Sequence, residues 1–237
     1  MRRYLIVDDN RPFAENLGEI VRDLGGDVVI AESGVEALEV AERHRFDCLV
    51  SDMRMPFMGG AELVHRVRRI DPGIAAIVVT AHVGDDDLAS ARREGLLAVL
   101  PKPVPIDRLI ELIGSARREG LAVIIEDDEH LSDNLSEALR THGFGSVAAA
   151  SVLETERLGP VRPFAALVDL HVPGGPHGEA MRRLAEKYPG LPMLVVTGYH
   201  DPPPVPCEAL FSKPFDTREL VAAVERLHAR HLDRMTS

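Results

Sequence analysis

Several functional classes are excluded by what this chain has little of. Cysteine occurs only twice in 237 residues, at Cys48 and Cys207. Two isolated thiols cannot build the disulfide framework of a small secreted domain or a zinc site, and they read as small buried side chains in a reducing compartment. Basic residues are outnumbered, 27 Lys and Arg against 38 Asp and Glu, for a net charge of −11. That balance argues against a nucleic-acid partner, because phosphate backbones are held by a Lys/Arg excess. No apolar run approaches the ~20 residues that cross a bilayer. Met1-Arg2-Arg3 leads straight into Tyr4-Leu5-Ile6-Val7 with no secretory leader. The expectation is a soluble cytoplasmic protein without nucleic-acid or membrane partners, long enough for two ordinary domains.

The most informative feature present is a long internal repeat. Asp52 matches Asp169, Pro56 matches Pro173 and Thr80 matches Thr197, each 117 residues on, while Asp9 matches Asp127 at 118 and Lys102-Pro103 matches Lys213-Pro214 at 111. A unit this long is a duplicated domain and not a solenoid repeat, whose period is ~20–50 residues. The expected domains are 1–119 and 120–237. Almost no linker separates them, which predicts a restricted relative orientation.

Within each half, short apolar runs alternate with helical patterns. Tyr4–Val7, Val28–Ala31, Cys48–Ser51, Ile74–Val79 and Leu97–Leu100 read as buried parallel strands. Between them, a helix with Pro12 near its start carries Phe13, Leu17, Ile20, Val21 and Leu24 on one face. Ser33 with Glu36 forms a capping-box signal. Leu63, Val67 and Ile70 mark a third helix, Asp85–Glu94 a fourth and Ile106–Arg118 a fifth, with Gly120 as stop. The run Asp85-Asp86-Asp87 reads as a helix N-terminal feature. The second half repeats the plan from Leu121, and its tail from His228 extends the last helix and then frays. The fold class is therefore α/β: two open parallel sheets with helices on both faces.

In such sheets ligands bind beyond the carboxyl ends of the strands, and the polar residues fall there. Asp8 and Asp9 follow the first strand, Asp52 the third, Thr80 the fourth and Lys102 the fifth. Three carboxylates in one pocket repel, so one stays protonated or a cation sits between them. Oxygen ligands with few protein contacts suit Mg²⁺. A divalent ion with a lysine ammonium neutralises a phosphoryl group in transit, and an aspartate can accept it as an acyl phosphate.

The ordered motifs are Ile-Val-Asp8-Asp9, Val-Ser-Asp52-Met-Arg-Met-Pro56, Val-Val-Thr80-Ala81 and Pro-Lys102-Pro103. They recur as Ile-Ile-Glu126-Asp127, Val-Asp169-Leu-His-Val-Pro173, Val-Val-Thr197-Gly198 and Ser-Lys213-Pro214. This set, covering nearly the whole chain twice, resembles the response-regulator receiver (CheY-like) family of two-component signalling. The resemblance implies two flavodoxin-like (βα)5 doubly wound sheets of strand order 2-1-3-4-5. It implies that Asp52 and Asp169 are phosphoacceptors. Mg²⁺ would be held by Asp8, Asp9 and Asp52 with the Arg54 carbonyl, and by Glu126, Asp127 and Asp169 with the His171 carbonyl. Lys102 and Lys213 would bind the phosphoryl group, Thr80 and Thr197 would sense it, and the bonds before Pro103 and Pro214 would be cis. The donor would be a phosphohistidine on a histidine kinase or a histidine phosphotransfer protein.

The sequence also departs from the family. Thr197 to Lys213 spans 16 positions where Thr80 to Lys102 spans 22, and Pro202, Pro203, Pro204 and Pro206 occupy the shortened stretch. Proline cannot continue an α-helix, so the fourth helix of the second half is expected to be absent or one turn at most. Its loss would expose sheet for another domain or a second copy of the chain to cover, a homodimer being one such arrangement. The aromatic residue usual three places before the lysine is replaced by Val99 and Leu210, and Phe211 lies one place along, facing the opposite side. Arg54, His171, His82 and Tyr199 flank the acceptors and threonines, where bulk would shield an acyl phosphate from water. His171, His177 and His200 read as exposed loop histidines and not as a metal site.

Three functions compete. One is a phosphorylation switch or relay that has no attached output domain and signals to a downstream protein target by contact. Another is an aspartyl-phosphate phosphatase, disfavoured because Arg54 and His171 stand where a second Asp would be needed, so turnover of an external substrate is not expected. The last is a receiver-fold scaffold with one or both halves unphosphorylated.

Overall fold

The computed structural model describes residues 1–81, 84, 94–158, 161–176, 178–199 and 204–236. The chain divides into two compact units, Met1–Arg118 and Glu119–Ser237.

In the first unit the elements run β1 Arg3–Val7, α1 Arg11–Asp23, β2 Asp27–Ala31, α2 Gly34–Arg43, β3 Cys48–Asp52, α3 Gly60–Ile70, β4 Ala75–Thr80, β5 Ala98–Pro101 and α4 Ile106–Ser115. The sheet is parallel with order β2-β1-β3-β4-β5. Its two-residue side-chain alternation makes two cores. Leu5, Val7, Leu49 and Val78 pack with Ala37, Leu63 and Val67 of α2 and α3. Tyr4, Ile6, Val50 and Ile77 pack with Leu17 and Val21 of α1 and Leu109 and Leu112 of α4. Strands buried on both faces explain why they read as unbroken apolar runs.

The second unit contains β6 Leu121–Ile125, α5 Glu129–Thr141, β7 Gly145–Ala149, α6 Val152–Arg157, β8 Ala165–Val168, β9 His171–Val172, β10 Gly175–Pro176, α7 Glu179–Lys187, β11 Met193–Thr197, β12 Ala209–Ser212 and α8 Thr217–Thr236. Its main sheet has order β7-β6-β8-β11-β12, the same flavodoxin-like winding, and it is parallel. Val123, Ile125 and Val195 face Met181 and Leu184 of α7, and Ile124, Leu167 and Val196 face Leu135 of α5 and Leu220 and Leu227 of α8.

Local signals behave as their chemistry dictates. Asn10 caps α1, its side chain accepting from the Phe13 N–H, and Pro12 sits in the first turn. Ser33 Oγ accepts from the Glu36 N–H at 3.2 Å, but the Glu36 carboxylate reaches the Glu32 N–H at 2.8 Å, one residue before the cap. Ser151, Glu154 and the Ala150 N–H repeat this arrangement in the second unit.

Four expectations are corrected. Helix α4 stops at Ser115, just after Gly114, and not at Arg118; Arg118 lies off the helical path and bonds the buried Asp71 carboxylate and the Phe46 carbonyl. The segment after Asp169 is not simple loop: β9 and β10 form an antiparallel hairpin, turning through Pro173 and Gly174, whose φ of 92° suits the third residue of a Pro-Gly type II turn. Helix α8 runs unbroken to Thr236, its apolar face carrying Leu220, Val224 and Leu227 into the core. Sheet next to the proline-rich stretch is largely covered by the chain itself. Val205, Cys207 and Tyr199 pack on the core that contains Met193 and Val195, leaving exposure at Leu210, 40% accessible. Gly198, Tyr199 and Pro204–Glu208 are non-helical. Positions 200–203, including Pro202, Pro203 and His200, lie outside the described residues, as do His82, Asp85-Asp86-Asp87, nearly all of the expected fourth helix of the first half, and His177.

Gly60 shows how closely α3 is set against β3. A Cβ there would lie 2.4 Å from the Asp52 carbonyl oxygen, backbone that cannot yield. Gly60→Ala is expected to destabilise the first unit by about 1–3 kcal/mol, read as a lowered urea midpoint. A midpoint unchanged from the parent would contradict the contact.

Candidate functional site

The strand registers bring the polar residues to one sheet edge. Val7 pairs with Ser51, Asp52 with Val79 and Thr80 with Pro101, so Asp8, Asp52, Thr80 and Lys102 stand level beyond the carboxyl ends of β1, β3, β4 and β5. Asp8 and Asp52 are buried, at 2% and 7% exposure, and Thr80 is buried beside them. Lys102 Nζ bonds Asp8 Oδ2 at 2.7 Å and Asp52 Oδ1 at 2.9 Å. The second oxygen of each acid accepts from backbone: Asp8 Oδ1 from the Asn10 N–H at 2.8 Å and Asp52 Oδ2 from the Arg54 N–H at 3.3 Å. The Lys102 ammonium also lies 4.4 Å from the Phe13 ring centre, a cation–π contact.

The second unit builds the same arrangement from different residues. Lys213 Nζ bonds Glu126 Oε2 and Asp169 Oδ2, each at 2.7 Å. The Asp128 N–H donates to Glu126 Oε1 at 3.3 Å and the His171 N–H to Asp169 Oδ1 at 2.9 Å. Thr197 is fully buried, and its Oγ1 accepts from the Tyr199 N–H at 3.2 Å. The Lys102–Pro103 and Lys213–Pro214 bonds are cis.

Burial pushes the Asp52 carboxyl above its ordinary range, against the hydrogen bond and charge of Lys102, which lower it, while Asp8 raises it further. Glu126 is raised for the same reason, with Lys213 opposing and Asp169 adding. Burial alone would lower Lys102 and Lys213, but hydrogen bonds and charge from their two acids outweigh it and both end raised. A carboxyl whose folded value is raised contributes stability that is complete below its ordinary value of 3.8 and is lost as pH climbs through the folded value. Ionised Asp52 therefore costs the native state stability at neutral pH. Asp52→Asn is expected to melt higher than the parent at about pH 7 without divalent metal, the gain shrinking to nothing by about pH 3. Equal melting at both pH values would contradict the assignment.

Asp9 and Asp127 are exposed. Oxygens of Asp8, Asp9 and Asp52 lie within 4.8 Å of one another, and so do those of Glu126, Asp127 and Asp169. An octahedral Mg²⁺ holds oxygens at about 2.0–2.1 Å, so both all-oxygen sets fit a hard divalent ion after a small closure, with exposed positions open to water and phosphate oxygens. Two features of the sites were not apparent in the sequence. Phe13 beneath Lys102 is one; its signal was an aromatic residue in the first turn after the acid pair. The other joins His171 Nδ1 to the Tyr199 hydroxyl at 2.9 Å; each follows a site residue, Asp169 or Thr197, by two positions. Val99 packs toward α2 and α3, whereas Phe211 packs toward α5 and α8, its ring 6.4 Å from that of Phe215.

This fold and these acid–lysine edges define a receiver-type protein, and comparison with known proteins agrees. Residues 4–114 match the family model of the response regulator receiver domain. A response regulator receiver protein of Anaeromyxobacter sp. (strain Fw109-5) is 68% identical over 228 residues, 96% of each chain. The chain belongs to the response regulator receiver family. The transcriptional regulatory protein GlrR of Escherichia coli (strain K12) is 38% identical over 112 residues, 47% of this chain but 25% of that protein. A CheY-like receiver domain protein from Methanospirillum hungatei JF-1 is 30% identical, with a TM-score of 0.46, over 48% of this chain and 91% of its own. Among the described residues no helix is long and apolar enough to cross a membrane.

Proposed function

We propose that the chain is a tandem receiver switch that takes a phosphoryl group on Asp52 and on Asp169 and signals by protein contact. The carrying observation is that each unit holds two buried carboxylates bridged by one lysine ammonium, with a third, exposed carboxylate alongside. An oxygen of Asp52 or Asp169 attacks the phosphorus of a phosphohistidine. The new P–O bond forms as the P–N bond breaks, and the imidazole leaves and takes up a proton. Lys102 or Lys213 moves its bonds from the carboxylates to the phosphoryl oxygens, and Thr80 or Thr197 offers a hydroxyl at the same edge. A bound Mg²⁺ would supply charge neutralisation for the transferred group; Asp8, Asp9 and Asp52, and Glu126, Asp127 and Asp169, are the residues to hold it. Donors of matching chemistry are a histidine kinase or a histidine phosphotransfer protein.

The test is labelling by a small radioactive phosphodonor with and without Mg²⁺ on the parent, Asp52→Ala, Asp169→Ala and the double variant. The reading expects metal-dependent label on each single variant, confined to the remaining aspartate, and none on the double. Label on the double variant, or label without metal, would overturn it; steady release of phosphate would favour a phosphatase.

The His171–Tyr199 contact ties β9 to the segment that follows β11, beside Asp169. It is expected to hinder the water that hydrolyses the acyl phosphate. His171→Ala should shorten the lifetime of label on Asp169 several-fold without changing that on Asp52. Equal decay in parent and variant would remove this role.

A further inference from the structure

At the opposite edge of the second unit's sheet, before β8 and β11 begin, lies a cavity of about 360 Å³. Its rim carries Arg162 from the segment leading to β8, and Arg230 and Arg234 from successive turns of α8, with Tyr188 and His231 in the wall. No Asp or Glu is among its lining residues, in a chain whose net charge is −11. Other contacts leave part of this positive charge uncommitted. Lys187 is spent on the carbonyls of Thr155, Glu156 and Leu158, and Arg230 pairs with Glu208 at 2.7 Å. Arg162 and Arg234 are exposed and make no ion pair or hydrogen bond among the described residues.

Behind the wall, the Tyr188 hydroxyl and His231 Nε2 are shut off from solvent without a hydrogen-bond partner, a condition native interiors rarely tolerate. Burial pushes the His231 imidazole toward its neutral form; Glu119 opposes, and Arg162 and Arg234 push the same way. The ring is thus near both guanidinium charges. Guanidinium forks match tetrahedral phosphate oxygens better than any other side chain. The size lies at the small end for ligand pockets.

The geometry points to an oxyanion-binding site here, for phosphate or a phosphate monoester held by Arg162 and Arg234. It is separate from the acid pocket at the other edge of the sheet, and does not depend on either aspartate being phosphorylated.

The test uses the full chain in EDTA, which removes divalent metal from the acid pockets, with calorimetric titration of inorganic phosphate and, separately, adenosine monophosphate. Saturable binding is expected, weakened about tenfold or more by Arg162→Ala and by Arg234→Ala, as loss of a charge-assisted hydrogen bond predicts, and unchanged by Asp169→Asn. Tighter binding of the monophosphate assigns the site to phosphate monoesters; equal binding assigns it to free phosphate. No saturable binding of either probe up to about 10 mM, a Kd weaker than most specific sites show, overturns the proposal. So does binding that survives both arginine changes, or binding that Asp169→Asn abolishes.

Discussion

Lys102→Ala is expected to slow metal-dependent labelling of Asp52 by about 10²-fold, the loss typical when a site gives up one group aimed at developing charge. The measurement uses an Asp169→Ala background so that the first unit alone reports. The ammonium bonds both Asp8 and Asp52, at 2.7 and 2.9 Å. Removing it acts twice. Its hydrogen bond and charge are what hold the Asp52 carboxyl down against burial, so the acid shifts further toward the protonated form, a poor nucleophile. The transferred phosphoryl group also loses its counter-charge. An initial rate within twofold of the parent would show that the lysine neutralises the resting acids and nothing more.

Asp71→Ala should have the largest effect on stability. Asp71 is 2% exposed and receives Arg118 through both nitrogens, at 2.8 and 2.5 Å, with Arg45 at 3.3 Å. Arg118 also donates to the Phe46 carbonyl at 2.6 Å. Cutting one partner from a buried pair costs about 3–5 kcal/mol because the other charge is stranded. The Arg118 side chain is 28% exposed, so the lower end applies, about 3 kcal/mol. For a domain of this size that corresponds to a fall of roughly 10 °C or more in the melting of the first unit. The double variant Asp71→Ala with Arg118→Ala should be clearly less destabilised than the sum of the singles. Additive losses, or a single-variant loss below about 1 kcal/mol, would contradict the clamp.

The same pair explains one limit of reading the chain by pattern. The helical period through Leu109, Leu112 and Ile113 continues to the eye as far as Arg118, although Gly114, just before the observed end at Ser115, is a local signal for a stop. The path of Arg118 beyond the helix follows Asp71, 47 positions away, which no local pattern contains. Strand positions were legible to within one or two residues because parallel strands buried on both faces, such as Leu121–Ile125, have no polar interruption to confuse. The acid edge was legible for a related reason: Asp8, Asp52, Thr80 and Lys102 each end or follow an apolar run, and parallel winding places all such ends together. How the lysine divides itself was not legible. Spacing does not say that Lys213 bonds Glu126 and Asp169 equally, or that His171 turns to Tyr199. The β9–β10 hairpin had its Pro173-Gly174 turn in plain view, but strands of two residues carry no periodicity to detect. The proline-rich stretch signals missing helix in its described part, and the expected bare sheet is confined to Leu210, because Val205 and Cys207 are apolar and pack on the core that contains Val195.

The central claim is that each unit gathers its acids to hold a divalent ion beside one acceptor aspartate. The most direct test is a crystal structure with Mg²⁺ and beryllium trifluoride, which mimics a phosphoryl group on a carboxylate. The account predicts the fluoride adduct on Asp52 and Asp169. It places the metal among Asp8, Asp9 and Asp52 in one unit and Glu126, Asp127 and Asp169 in the other, with Lys102 and Lys213 turned to the adduct. Metal bound elsewhere, or both aspartates unmodified with their lysine bridges intact, would contradict it.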